Sequence, residues 1–263
     1  MSSLRRHPSK REIRQSFERA AATYDSAARV QRWVCSRLVA GLPASLIPAV
    51  ILDAGCGTGF ALQMLALRFP AARLIALDFS EGMLEQIRQP VFRLLGDVER
   101  LPLQNEMAGL YWSSLTLQWC RPEVLAKEAC RVLWPNGTLA LSSLLPGTFL
   151  EIEEAFADID AYRHVLEFTP AEGVRAALAH AGFTDIDTQV ETGVAHYKDV
   201  KSLLAAIRAI GATRIGTGSR KTLMGKAAWH KLVENLESRR NPRGIPLTYQ
   251  VLLCYARKPG GED

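Results

Sequence analysis

Seven consecutive residues, Asp53-Ala54-Gly55-Cys56-Gly57-Thr58-Gly59, carry the strongest chemical signal in this chain. They close the apolar run 49–55 and open a stretch of helical character at 59–68. Glycine at these places permits a tight turn and lets the backbone come close to a ligand. A tight strand-to-helix turn would require some of these glycines anyway, so the triplet alone is weak evidence. Its support lies roughly 20 residues further on, where a second apolar run, 72–78, ends in Asp78. A carboxylate there can accept hydrogen bonds from both hydroxyls of a ribose. Gly96-Asp97-Val98 then closes a third apolar run, where an adenine edge would lie. The five cysteines (35, 56, 120, 130 and 254) form no CxxC pair and show no metal-type spacing, so no metal site is expected.

These residues need a scaffold that brings several strand ends together. Runs at 49–55 and 72–78 read as buried strands, and those at 91–95, 109–114 and 138–145 as three further strands. Helical sequence separates them at 59–68, at 81–89 with Ser80 as N-cap, and at 122–133. Such alternation predicts a mainly parallel sheet with helices on both faces. Upstream, residues 10–41 read as helical, with Ile13, Phe17 and Ala20, then Val30, Val34 and Leu38, at helical spacing. Downstream, helices are expected at 150–161 and 170–181, and two strands, 183–191 and 247–258, as an antiparallel edge pair. Between those strands, helices near 198–210 and 226–238 read as a cap over the active site.

The bulk properties bound the partners. The chain has 263 residues, 48% of them hydrophobic, which suits one large α/β domain. No apolar run is long enough to span a bilayer, and the basic N-terminus lacks a signal-peptide core, so no membrane association is expected. An odd cysteine count without pairing motifs suggests reduced thiols and a cytoplasmic protein. The net charge of +5 is unevenly spread. Residues 201–243 carry ten Lys/Arg against Glu234 and Glu237, whereas residues 20–200 carry 14 basic and 21 acidic groups. The basic segment would attract an acidic partner.

The segment "LDAGCGTG" resembles motif I of the class I methyltransferases, "ALDFSEGML" their ribose-holding motif, and "GDVERLPL" their adenine-binding segment. The nicotinamide enzymes share the first two features, but their fingerprint is GxGxxG, and here the spacing is GxGxG. The resemblance implies S-adenosylmethionine as cofactor and S-adenosylhomocysteine as product. It implies an α/β fold with a Rossmann-like seven-stranded mixed sheet. On that reading the chain is a single domain: an N-terminal helical lid (1–45), the core (46–191 and 245–260) and a helical cap insert (192–244). Asp53, Gly55, Gly57 and Gly59 would shape the pocket under the methionine moiety, with Asp78 on the ribose. Phe79 and Met83 would flank the adenine, Asp97 and Val98 would bind its edge, and Ser113 would join them from the fourth strand.

Four further segments are similar to the malonyl-acyl-carrier-protein O-methyltransferases of biotin synthesis, the BioC family. They are Phe17-x-Arg19-Ala20-Ala21-x-x-Tyr24-Asp25 with Gln31; Trp112 to Cys120; Gly147-Thr148-Phe149-x-Glu151 with His164 and Phe168; and Pro246-Leu247-Thr248-Tyr249. This likeness implies methyl transfer to the free carboxylate of malonyl carried on acyl carrier protein or coenzyme A. Tyr24, Gln118 and Trp119 would form the catalytic site, and segment 201–243 would dock the acidic carrier. Such a carboxylate is already ionised at neutral pH and needs no general base. The alternatives are a methyltransferase for a free small acid such as trans-aconitate, or a non-catalytic cofactor-binding partner protein. RNA is disfavoured as a substrate, because "SSLTLQW" stands where a base-modifying enzyme would carry a DPPY-type motif.

Overall fold

The computed structural model describes residues 9–24, 28–209 and 224–260. Seven strands form one sheet in the order β3-β2-β1-β4-β5-β7-β6. The strands are β1 (Val50–Ala54), β2 (Arg73–Asp78), β3 (Phe92–Leu95), β4 (Ala108–Ser114), β5 (Leu133–Leu144), β6 (Thr184–Tyr197) and β7 (Ile245–Arg257). The first five run parallel, while β7 is antiparallel to both β5 and β6. Ile51, Leu52 and Ala54 of β1 are fully buried, because helices cover both faces of the sheet. On one side lie α2 (Arg29–Ala40) and α3 (Phe60–Arg68), with Val34, Leu38 and Leu65 in a single apolar cluster, while α1 (Lys10–Ala20) packs on residues 81–85. The opposite cluster takes Leu125, Ala126 and Ala129 of α5 (Pro122–Val132) and Val174, Ala177 and Leu178 of α7 (Ala171–His180).

From β1 the chain winds outward to β2 and β3 and then returns to β4 on the other side of β1. A crevice opens where strand order reverses, outside the carboxyl ends of β1 and β4. The glycine turn after β1, Asp78 and residues 96–98 converge on that edge.

The structure changes several expected boundaries. The helical stretch 10–41 is two helices: α1 ends at Ala20 in a short 3₁₀ turn (Ala21–Thr23), and α2 begins at Arg29. Ser9 caps α1 through a capping box with Glu12. The helix after Ser80, α4 (Glu81–Glu85), is shorter than expected; Pro90 disfavours helical backbone at Gln89 just beyond it. Strand β6 does not stop at 191 but continues to Tyr197, which pairs with Ile245. Residues 192–197 therefore belong to the sheet and not to the cap insert. Gly193 within this extension admits the indole of Trp33; a Cβ there would sit 2.7 Å from it.

The remaining helices are α6 (Leu150–Phe156), α8 (Val200–Ala209) and α9 (Lys226–Glu237). Val200, Leu203 and Ile207 of α8 and Leu232 and Leu236 of α9 are buried in the cluster that holds Leu144, Phe168 and Tyr249. Asn235 of α9 donates to the Ala155 carbonyl at the end of α6, 2.9 Å away. The described part of the insert is thus a layer of the core. No described helix is long and apolar enough to cross a membrane.

Candidate cofactor and acceptor site

The turn after β1 takes its shape from its glycines. Gly55 and Gly59 have φ of +79° and +82°, a region that penalises a side chain. At Gly55 space forbids one too: a Cβ would lie 2.3 Å from Thr116 Oγ1, which donates to the Gly55 carbonyl. The loop after β4 is thereby packed onto the glycine turn. Asp78, at the end of β2, accepts from the Gly57 amide through Oδ2 and from the Ser80 amide through Oδ1, each at 2.9 Å. Each oxygen keeps a lone pair for a ligand hydroxyl. Burial pushes the Asp78 carboxyl up to about 6, against the pull of those amides.

A cleft of about 640 Å³ runs along these groups, lined also by Phe79, Met83, Gly96, Asp97, Val98, Ser114 and Trp119. Next to it, Asp53 is 2% exposed and its Oδ2 is buried without a partner. Burial, and then the charge of Asp78, push the Asp53 carboxyl up to about 8. Its corner of the cleft is shared with Arg32, Cys35, Gly57 and Phe60. An orphaned buried carboxylate oxygen in a corner that a guanidinium also lines could hold the ammonium and carboxylate of an amino acid moiety. Asp78 could hold a ribose, and Phe79 and Met83 could flank a base.

Ser113 is corrected by the strand geometry. It is 1% exposed, and its hydroxyl donates to the Ala54 carbonyl at 2.7 Å, tying β4 to β1. Successive strand residues face opposite sides of a sheet, so Ser114 lines the cleft instead.

The N-terminal helix closes over the cleft. Glu18 of α1 accepts from the backbone amides of Glu81 and Gly82, each at 2.9 Å, at the start of α4. Lys10 pairs with Asp97 and, at 2.7 Å, with Glu99. Glu99 is also held by Arg121 at 3.2 Å. Burial works against the Glu99 carboxylate, yet the Arg121 backbone amide, Lys10 and the Arg121 side chain bring its pKa below the usual value. Phe17 sits under the lid, 5.7 Å from Trp119 edge-to-face and 6.1 Å from Phe79.

Beyond Trp119 lies a second pocket of about 460 Å³. Phe17, Tyr24, Leu115 and Trp119 line both cavities and form the junction between them. The far wall is Leu144, Leu166, Phe168 and Tyr249, with Gln31 and Gln118 as its amides. The described residues of the insert line neither cavity; Leu166 and Phe168, from the stretch before α7, close the pocket in their stead. Gln118 donates to the Leu115 carbonyl at 2.6 Å, which fixes its Oε1 as a buried acceptor without a partner. His164 does not reach the pocket. It stacks on Phe156 with ring centroids 3.4 Å apart and pairs with Asp160 at 2.7 Å.

The predicted residues Tyr24, Asp53, Gly55, Gly57, Asp78, Phe79, Met83, Asp97, Val98, Gln118 and Trp119 therefore gather around two joined cavities. Gly59 shapes the turn and caps α3 from outside their walls. Sequence reasoning gave no site role to Lys10, Phe17, Gln31, Arg32 or Thr116, whose places depend on packing across the fold. For Phe17 and Gln31 the motif segments already held the signal. Among the described residues no group of three or more His, Cys, Asp or Glu could hold a metal ion.

Comparison with known proteins agrees with this geometry. A methyltransferase domain family matches residues 52–141, which span the glycine turn to β5. Malonyl-acyl-carrier-protein O-methyltransferase of Dechloromonas aromatica is 49% identical over 251 residues, covering 95% of each chain. The biotin biosynthesis bifunctional protein BioHC of Teredinibacter turnerae is 37% identical over 97% of this chain and 48% of its own length. Among solved structures, a SAM-dependent methyltransferase of Thermotoga maritima superposes with a TM-score of 0.56 at 22% identity, covering 94% of this chain and 99% of that one. The sheet order is thus that of the methyltransferase fold, and the chain belongs to the malonyl-acyl-carrier-protein O-methyltransferase family.

Proposed function

We propose that this protein transfers a methyl group from S-adenosylmethionine to the free carboxylate of malonyl-acyl carrier protein. The product is the methyl ester that primes pimeloyl synthesis for biotin. The observation that carries this reading is the junction at Tyr24, Phe17, Leu115 and Trp119, where a nucleoside-type cleft meets a second, largely apolar pocket, in a chain of this family.

In the first cavity, Asp78 accepts the ribose hydroxyls, and Phe79 and Met83 flank the adenine, with Asp97 and Val98 at its edge. Asp53 and Arg32 hold the amino and carboxylate groups of the methionine end. When bound, the cofactor supplies an electrophilic methyl carbon on a sulfonium. Tyr24 and Trp119 orient the acceptor towards it, and with Phe17 they exclude water from the junction. The acceptor carboxylate enters ionised, so positioning and desolvation supply the acceleration without a proton acceptor.

The basic segment 201–243 serves as the docking face for the acidic carrier protein in this reading. Its support is the charge count. Part of that charge is spent within the protein: Lys231 pairs with Asp158 at 3.5 Å, Arg239 with Glu154 at 2.6 Å and Arg240 with Glu237 at 2.7 Å. Arg220 and Lys221 lie outside the described residues.

The test is methyl transfer from labelled cofactor with malonyl-carrier protein, malonyl-coenzyme A, trans-aconitate and RNA offered in parallel. Base-labile label on the malonyl carrier or coenzyme A is expected. Label on trans-aconitate alone, or on RNA alone, would overturn the acceptor assignment.

A further inference from the structure

The acceptor pocket has an unusual wall for a carboxylate site. Its described polar side chains are two amides, Gln31 and Gln118, two phenols, Tyr24 and Tyr249, and the indole of Trp119; no described Lys or Arg reaches it. Buried polar groups are ordinarily paired. Here Gln31 Oε1 and Gln118 Oε1 are both buried without a partner, and Gln118 is only 8% exposed. The two amides differ in what they can offer. Gln118 is fixed by its bond to the Leu115 carbonyl, so its oxygen accepts only. Gln31 has no such anchor and can turn its N–H groups towards a ligand. It lines the second pocket and also the corner with Asp53, so it stands between the acceptor and the methionine end.

Tyr249 is a second donor, on the far wall of the pocket. It is 3% exposed, and its hydroxyl lies 3.5 Å from that of Tyr197. Burial raises its pKa far above the ordinary phenol value, so it remains protonated and able to donate. Either phenol can donate in that pair, so the Tyr249 oxygen can accept from Tyr197 while its hydrogen turns to a ligand in the pocket that Tyr249 lines.

We infer that Gln31 and Tyr249 hold the acceptor's carboxylate through uncharged hydrogen bonds to one oxygen, leaving the other to attack the methyl carbon. This rests on the carboxyl methylation proposed above. Any hydrogen bond to a carboxylate is charge-assisted on the acceptor side, but a cationic donor adds direct attraction between opposite charges and withdraws more electron density from the carboxylate than an uncharged donor does. A cation would therefore tighten binding and blunt the nucleophile, whereas neutral donors position the carboxylate and keep it reactive. The transfer itself balances simply: the carboxylate oxygen forms a bond to the methyl carbon as the carbon–sulfur bond breaks, and the electron pair stays on sulfur. No proton moves.

The experiment measures steady-state methylation of malonyl-carrier protein by the intact protein and by Gln31→Glu, Gln31→Lys and Tyr249→Phe. S-adenosylhomocysteine affinity, read by calorimetry, checks the fold and the cofactor cleft. Gln31→Glu should raise KM for the carrier substrate by about tenfold or more, and Tyr249→Phe by about threefold. Gln31→Lys should lower KM and also lower kcat, a split that a purely structural residue would not produce. S-adenosylhomocysteine affinity should stay within about threefold for Tyr249→Phe, which lies away from the cofactor cleft. Unchanged KM in both Gln31→Glu and Tyr249→Phe, or a Gln31→Lys enzyme with faster turnover, would overturn the inference. No turnover of malonyl-carrier protein by the wild type would instead overturn the acceptor assignment, and this inference with it.

Discussion

Lys10 Nζ, in the first turn of α1, lies 2.7 Å from the carboxylate of Glu99, whose side chain is only 3% exposed. Lys10 also pairs with Asp97, which lines the cleft. The lid is therefore latched at the mouth of the cofactor site, and Glu18 latches it a second time on the amides of Glu81 and Gly82.

Unlatching should cost cofactor affinity more than stability. Exposed ion pairs are individually weak, so Lys10→Met should reduce S-adenosylhomocysteine affinity by only about two- to fivefold. Glu18→Ala removes two bonds to backbone amides and should reduce it by about tenfold. Calorimetry with a parallel thermal melt measures both. Wild-type affinity in the Glu18 variant would show that α1 does not gate the cleft.

Asp53 predicts a pH dependence with a definite sign. Its pKa is raised from 3.8 to about 8 by burial and the charge of Asp78. Its contribution to the stability of the free protein is thus fully present below about pH 4 and is lost as pH rises through about 8. Binding an ammonium group favours the ionised form and releases the proton. S-adenosylhomocysteine affinity should therefore rise between pH 6 and 8, by at most about tenfold per unit, and level off above. Asp53→Asn should flatten that rise and weaken binding at pH 8. A wild-type affinity that is level across this range would refute the role of Asp53.

Asp78 and Tyr24 should separate binding from turnover. Asp78→Ala removes the acceptor on both the Gly57 and Ser80 amides and the ribose contact, and should weaken S-adenosylhomocysteine by about 100-fold. Tyr24→Phe keeps the ring contact with Phe17, 6.3 Å between centroids, and loses only the hydroxyl at the junction of the two cavities. It should lower kcat by about tenfold or more with little change in melting temperature. Wild-type kinetics, or an unfolded variant, would remove Tyr24 from the site.

Reversing Arg220, Lys221, Lys226 and Lys231 tests carrier docking. Steering by exposed charge acts on association and fades with salt, since screening sets in beyond about 10 Å at 0.1 M. KM for malonyl-carrier protein should rise at low salt, with kcat nearly unchanged and malonyl-coenzyme A less affected. Lys231 also pairs with Asp158, so a melt must accompany the kinetics. Equal KM for wild type and variant at low and high salt would exclude this face.

The sequence by itself determined the sheet, the glycine turn and the place of Asp78, because these depend on short-range rules. Strands such as 72–78 carry continuous apolar runs, and a φ of +79° at Gly55 calls for glycine. Asp78 follows because a strand end has one position at the crevice. Only the tertiary structure decided the rest. Whether Ser113 or Ser114 faces the cleft turns on which sheet face the helices leave open, and alternation makes the wrong neighbour point the opposite way. The extension of β6 past 191 brings Gly193 under Trp33, 160 positions earlier in the chain, a contact that no local pattern announces. The roles of Lys10, Gln31 and Arg32 require α1 and α2 to fold back across the carboxyl ends of strands they do not adjoin in sequence. The charge of segment 201–243 could be counted from the residues, but its partial cancellation by Asp158 and Glu154 exists only where α9 lies against α6. Packing, not local preference, brings those groups within reach of one another.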